Sequence, residues 1–92
     1  MYTKEDWKKD GVFSAKPGQE ISREILDDME NALPPIRAGK CARQNAEALG
    51  IRPVAGFLMG EPYDCTEEGN LYMFFLTDAA GRAYYGGLAT RN

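Results

Sequence analysis

The sequence is poor in the residues that most often bind metals or act as catalytic bases: it has no histidine and only two cysteines, Cys41 and Cys65. Without histidine, the usual zinc sites and the Cys-His and Ser-His catalytic pairs are excluded. The two cysteines lie far apart in the sequence, which in a reducing compartment favours free thiols over a structural disulfide. We therefore expect no bound metal and no cofactor.

Long hydrophobic runs are also lacking. No apolar stretch approaches the roughly 20 residues needed to span a bilayer. The start of the chain, "MYTKEDWKKDG", has no apolar segment of the kind found in signal peptides. These absences predict a cytoplasmic protein that does not insert into a membrane.

The composition is that of an ordinary folded domain. The chain has 92 residues, of which 43% are hydrophobic and 27% are charged, and a chain of this length supports one hydrophobic core. We predict a single domain over residues 1–92, in which residues 1–20 form an N-terminal arm.

Charge is unevenly distributed along the chain. Residues 17–34 hold five acidic side chains and one basic side chain, whereas residues 35–52 hold four basic side chains and one acidic side chain. The basic segment is either a phosphate-binding surface carried by Arg37, Lys40 and Arg43, or a solvated helix face paired with its acidic neighbour. Because the net charge is −3 and nucleic-acid-binding domains usually carry positive charge, we favour the solvated face.

Local signals predict helices in the first half of the chain. Thr3 is a candidate N-cap for a short helix over "TKEDWKK" that ends at Gly11, and "GVFSAKPG" predicts a short strand before a turn at Pro17 and Gly18. An amphipathic helix follows from Ile21 and stops at the two prolines after residue 33. Its apolar positions are Ile21, Ile25, Leu26, Met29, Ala32 and Leu33.

A second amphipathic helix is predicted from Pro35 or Ala38 to Leu49, with Gly50 as its left-handed C-terminal cap. Its inner face is formed by Ala38, Cys41, Ala42, Asn45 and Leu49. Asn45 needs a hydrogen-bonding partner on this face, because an unpaired buried polar group costs about 1–3 kcal/mol. The partner is either a backbone group, which we favour, or a ligand.

After Pro53 the pattern changes to three strands, "VAGFLM", "LYMFFL" and "AYYGGL". The middle run is apolar on both faces, which is typical of a central strand covered on two sides. "TDAAGR" predicts a short hairpin that opens at Asp78 and has Gly81 at positive φ. The glycines of "YYGGL" predict a bulge or a close approach of the backbone.

Helices grouped before strands predict an α+β fold. We expect a two-layer sandwich in which two amphipathic helices pack on one face of a three- to four-stranded antiparallel sheet. The other face is then covered either by the N-terminal arm, with Trp7 and Phe13, or by another molecule.

The segment "GEPYDCTEEGN" is the longest irregular stretch between the predicted strands, and such loops often carry function. Glu61, Tyr63 and Cys65 are its candidate binding residues and mark where an enzymatic or small-ligand site would lie. Acidic neighbours disfavour the thiolate of Cys65, and the spacing of a calcium-binding EF-hand is absent. We interpret the segment as a recognition loop or a connection.

Arg82, Tyr84 and Tyr85 are the other candidate binding residues. Adjacent residues of a strand point to opposite faces, so one tyrosine faces the core and the other faces solvent or a partner. Stacking on a nucleic-acid base is one interpretation. We favour the other, a cross-strand aromatic contact with Tyr72 or Phe74.

Three stretches, "LPPIRAGKCARQNAEALGI", "AGFLMGEPYDC" and "GNLYMFF", resemble small uncharacterised proteins encoded in the genomes and conjugative elements of Gram-positive gut bacteria. The resemblance covers most of residues 11–88. It implies a bacterial cytoplasmic accessory protein, and it carries over no activity, substrate or functional residue.

No complete catalytic set is recognisable in the sequence. We therefore expect a non-enzymatic binding or adaptor module that contacts another protein, or a second copy of itself, through its sheet. One alternative is a nucleic-acid-binding accessory protein that uses the basic second helix. The other is an enzymatic or small-ligand site in the 60–70 loop.

Overall fold

A computed structural model of the chain describes residues 1–32, 36–37, 44, 46–58, 64–66 and 69–90. Its elements are α1 (Lys4–Asp10), β1 (Glu20–Ile21), α2 (Arg23–Ala32), β2 (Ile36–Arg37), β3 (Ala55–Leu58), β4 (Asp64–Thr66), β5 (Gly69–Thr77) and β6 (Ala83–Thr90). The strands form one sheet in the order β1-β6-β5-β3-β2, and β4 also pairs with β5. Every strand pair among these residues is antiparallel. The predicted α+β class and antiparallel sheet are confirmed.

Helix α1 is defined by the local signals that predict it. Thr3 Oγ1 accepts a hydrogen bond from the Asp6 N–H at 3.2 Å, and the Asp6 carboxylate accepts one from the Thr3 N–H at 2.9 Å. Gly11 ends the helix at φ 77°, a conformation that glycine adopts without steric penalty. No residue of α1 is fully buried, and Trp7 packs half-buried against the core.

The segment between α1 and α2 differs from the prediction. The expected strand in "GVFSAKPG" is wrong, because residues 13–16 have no regular secondary structure, whereas the turn at Pro17 and Gly18 is confirmed. Ile21 lies in β1 opposite Ala83 and does not begin the helix. Tyr2 holds the backbone on both sides of Ile21: its N–H donates to Glu20 O at 2.9 Å, and its carbonyl accepts from the Ser22 N–H at 2.8 Å.

Strand β5 divides the core into two clusters because its side chains alternate between the two faces of the sheet. We name the face bearing Met73 and Phe75 the front face, and the face bearing Tyr72, Phe74 and Leu76 the back face. This alternation matches the sequence pattern. The buried members of the front cluster are Tyr2, Ala15, Ile21, Ile25, Leu26, Met29, Phe75, Ala83 and Tyr85. The back cluster comprises Ala46, Leu58, Tyr72, Phe74, Leu76 and Ala89.

The two helical segments contact opposite faces of the sheet, so the two-layer packing is not confirmed. Helix α2 packs on the front face, whereas residues 46–48 are helical and Ala46 is fully buried in the back cluster. That second segment ends as predicted. Gly50 has φ 72°, its N–H bonds to Glu47 O at 3.0 Å, and the Ile51 N–H bonds to Ala46 O at 3.1 Å. These two bonds form a Schellman cap.

One of the two predicted starts of the second helix, Pro35, is wrong, and so is the predicted start of the first strand after Pro53. Arg37 lies in β2 opposite Phe57, so a helix cannot begin at Pro35 and include it. Val54 precedes β3 and is 68% exposed, so the strand predicted over "VAGFLM" begins one residue later, at Ala55. The remaining predicted positions of the second helix between residues 38 and 43 lie outside the described residues.

Candidate binding surface

The predicted 60–70 loop is partly strand. Leu58 at the end of β3 is opposite Phe74, and Asp64 at the start of β4 is opposite Leu71. Strands β3 and β4 therefore lie along the same edge of β5. Cys65 occupies the middle of β4, opposite Asn70, which corrects its expected place in an irregular loop. Glu61 and Tyr63 lie outside the described residues, and a binding role for these three residues stays a prediction.

The turn between β5 and β6 is organised by the carboxylate of Asp78. Its Oδ1 accepts hydrogen bonds from the N–H groups of Ala80 at 3.0 Å and Arg82 at 2.9 Å. Its Oδ2 accepts from Arg82 Nε at 2.8 Å and from the Tyr84 hydroxyl at 3.0 Å. Gly81 has φ 81°, as the hairpin prediction requires. Four donors match the roughly four lone-pair positions of a carboxylate, so Asp78 is fully engaged.

These contacts shift the ionisation of all three side chains. Partial burial opposes ionisation of Asp78, but hydrogen bonds from the Arg82 backbone, the Tyr84 hydroxyl and the Arg82 side chain together hold its pKa below the ordinary value. The hydrogen bond and charge of Asp78 raise the pKa of Arg82. Burial, followed by the bond to Asp78, raises the pKa of Tyr84. At neutral pH the turn therefore holds an ionised pair and a neutral phenol.

Arg82 and Tyr84 are thus brought together. What joins them is the carboxylate of Asp78 in the turn, and not a separate binding site. The Arg82 side chain is 58% exposed and its Nε is committed to Asp78. Tyr84 lies opposite Leu76 and packs partly buried against the back cluster. Both residues have a structural role in the described conformation, and their predicted binding role stays untested.

Tyr85 belongs to an aromatic cluster on the front face. Its ring centroid lies 5.1 Å from that of Phe13 and 5.5 Å from that of Phe75, which is its cross-strand neighbour. The cross-strand aromatic contact therefore exists, although its partner is Phe75 and neither Tyr72 nor Phe74. Tyr85 is only 8% exposed, so its ring is not presented to a nucleic-acid base.

The front face is covered by the chain's own N-terminal arm. Phe13 makes edge-to-face contacts with four rings, those of Tyr2, Trp7, Phe75 and Tyr85. The arm was expected on the sheet face opposite the helices. It lies instead on the front face together with α2, and the described segment that packs on the back face is the one around Ala46.

Ion pairs also attach the arm to α2. Lys4 Nζ lies 2.7 Å from Asp28 Oδ2 and 3.6 Å from Glu24 Oε1. The hydrogen bond and charge of Asp28 raise the pKa of Lys4. Arg23 pairs with Asp27 within α2. The described ion pairs of the acidic helix are thus formed with the arm and within the helix itself.

Among the described residues, the outer edge of β6 is paired over only the first part of its length. Glu20 and Ile21 pair with Tyr84 and Ala83. Tyr85 then donates to Gln19 O at 3.0 Å and accepts from the Gly18 N–H at 2.7 Å. Beyond Tyr85, no other described segment pairs with this edge.

A proline and a bulge end that pairing. The ladder between β5 and β6 shifts by one residue at Gly86, and Pro17 lies against Gly87, where an added Cβ would be 3.3 Å from Pro17 Cγ. Proline has no N–H and cannot continue a strand ladder. The predicted bulge or close approach in "YYGGL" is confirmed.

We name residues 88–90 the open edge. Leu88 is 37% exposed and lies opposite Met73, which is itself half-buried on the front face. Directly opposite residues of an antiparallel pair share a face, so a partly exposed apolar strip adjoins the backbone of this edge. Sequence reasoning did not identify the open edge. The one signal for it is the Gly86-Gly87 pair, which marks where regular pairing changes.

The candidates on the second helix are not brought into a site by the described residues. Asn45, Lys40 and Arg43 lie outside the described part of the chain, and the backbone of Arg37 is in β2. No described buried side-chain polar atom lacks a hydrogen-bond partner, so none of them is aimed at an absent ligand.

Within the described ranges, no group of three or more metal-ligating side chains comes together. None of the described helices is both long enough and apolar enough to cross a membrane. Comparison with known proteins finds no matching family model, no matching curated protein and no matching solved structure.

Proposed function

We propose that the chain is a non-enzymatic protein-binding module that accepts an extended segment of a partner protein along the open edge of β6. One observation carries the proposal. The chain's own arm, α2 and residues near Ala46 pack on the two faces of the sheet, while no described segment pairs with the open edge. A cytoplasmic location is part of the proposal and rests on the two widely separated cysteines.

The chemistry of an open edge suits such a partner. An unpaired strand edge presents backbone N–H and C=O groups that another extended chain can satisfy, and neighbouring side chains supply selectivity. Here the partly exposed Leu88 and Met73 lie beside those groups on the front face. We therefore expect the bound segment to place an apolar side chain next to Leu88.

An enzymatic function has less support in the described residues. Asp78 has a lowered pKa and accepts four hydrogen bonds within its own turn, so it is not available as a general base. Asp6 is likewise used by its helix cap, where the Thr3 N–H and hydroxyl lower its pKa. These shifts in carboxylate pKa are explained by local structure.

The nucleic-acid alternative also lacks support. Arg82 is paired with Asp78 and Tyr85 is buried. The backbone of Arg37 pairs within the sheet, so the predicted row of basic residues on one helix face loses its first member. Among the described residues, nothing favours this alternative over protein binding.

The proposal is tested by selecting binders from a displayed library of random peptides against the immobilised full-length chain. The selected peptide is then titrated into isotope-labelled chain while amide chemical shifts are recorded. We expect the largest shifts at residues 86–90, with small shifts at residues 46–58 on the other side of the sheet. Shifts centred on residues 46–58, or on the turn at residues 78–82, would contradict the proposal.

A length-matched peptide that was not selected serves as the control ligand. It should leave the amide shifts at residues 86–90 unchanged at the same concentration. If both peptides move those residues equally, the edge attracts peptides without selection, and the role of Leu88 in the proposal fails.

A further inference from the structure

We draw no further inference here: the strongest candidate, the open edge of β6 beside the half-buried Met73, is the surface on which the proposed function already rests, and nothing in the structure shows which segment or second copy covers it.

Discussion

At the scale of single residues, the contact between Phe74 and Gly86 shapes the sheet next to the open edge. A Cβ on Gly86 would meet Cδ2 of Phe74 and lie 2.8 Å from its Cε2. Phe74 is fully buried and cannot swing into solvent. We expect Gly86→Ala to lower the free energy of unfolding by about 1–3 kcal/mol, because overpacking forces strained side chains or backbone shifts. Urea unfolding followed by circular dichroism measures this.

A double-mutant cycle separates this contact from a general backbone effect. Phe74→Leu removes Cε2 and replaces the rigid ring with a smaller side chain that can rotate away from the new Cβ, so the cost of Gly86→Ala should be smaller in that background. If Gly86→Ala costs the same in both backgrounds, the ring is not the reason for the glycine.

The Asp78 turn predicts a defined dependence of stability on pH. The folded-state pKa of Asp78 is lowered, so its ionised form stabilises the fold. That contribution is complete above the unfolded value of about 3.9 and is lost as pH falls through the folded-state pKa. We expect Asp78→Asn to melt at a lower temperature than the wild type at neutral pH. The difference should narrow in acid, as measured by thermal unfolding across pH.

Tyr84→Phe tests the same turn through one of the donors to Asp78. It removes one of the hydrogen bonds that lower the pKa of Asp78, so that pKa should rise toward its ordinary value. Carbon NMR titration of the Asp78 carboxyl measures this pKa directly in the wild type and in the variant. A wild-type Asp78 that titrates at or above about 3.9 contradicts this account.

At the scale of elements, the arm is held on the sheet by Phe13. This ring lies between 5.1 and 5.9 Å from four other ring centroids and connects the arm to β5 and β6. We expect Phe13→Ala to cost about 3 kcal/mol, near the lower end for a large-to-small aromatic change because Phe13 is only partly buried. The fluorescence of Trp7, the one tryptophan in the sequence, should shift to longer wavelength as the arm loosens.

Val12→Ala is the control for the arm, because Val12 is the neighbouring residue and is 67% exposed. It should change neither the Trp7 emission nor the unfolding free energy by more than about 0.5 kcal/mol. Equal effects of the two substitutions would show that Phe13 has no special role in docking the arm.

Elements set by local signals were predictable, and elements set by distant pairing were not. Thr3, Gly11 and Gly50 act on their own helix ends, so the sequence identifies α1 and the end of the second helix. Ile21 fits a helical spacing of apolar residues, yet pairing with Tyr2 and Ala83 places it in a strand. Such pairing depends on residues far away in the chain and overrides local propensity.

The candidate site also combines a local feature, which was predictable, with a feature set by distant pairing, which was not. The Asp78 hairpin is a local motif and was predicted, but the sequence did not show that its carboxylate binds both Arg82 and Tyr84. Among the described residues, the open edge arises because the segment at residues 18–21 pairs with only part of β6. The length over which the two segments pair depends on how these distant parts of the chain align. A single sequence carries no direct signal for that alignment.

At the scale of the whole molecule, the segments packed on each sheet face and the short open edge predict a monomer in the absence of a partner. The three described residues of the open edge extend about 10 Å, which is too short for two copies to bury the roughly 1,200 Å² of a stable interface. Sedimentation equilibrium should give the monomer mass of 10.2 kDa across the accessible concentration range. A dimer that dissociates on dilution would contradict this and would point to self-association instead.

The affinity of a selected peptide for two matched variants tests the central claim most directly. Leu88→Lys places a charge on the open edge, whereas Val12→Lys places the same charge at an exposed position on the arm. The account predicts that Leu88→Lys weakens binding by at least about tenfold, or 1.4 kcal/mol, while Val12→Lys leaves it unchanged. Equal affinity of the peptide for wild type and Leu88→Lys would contradict binding at the edge of β6.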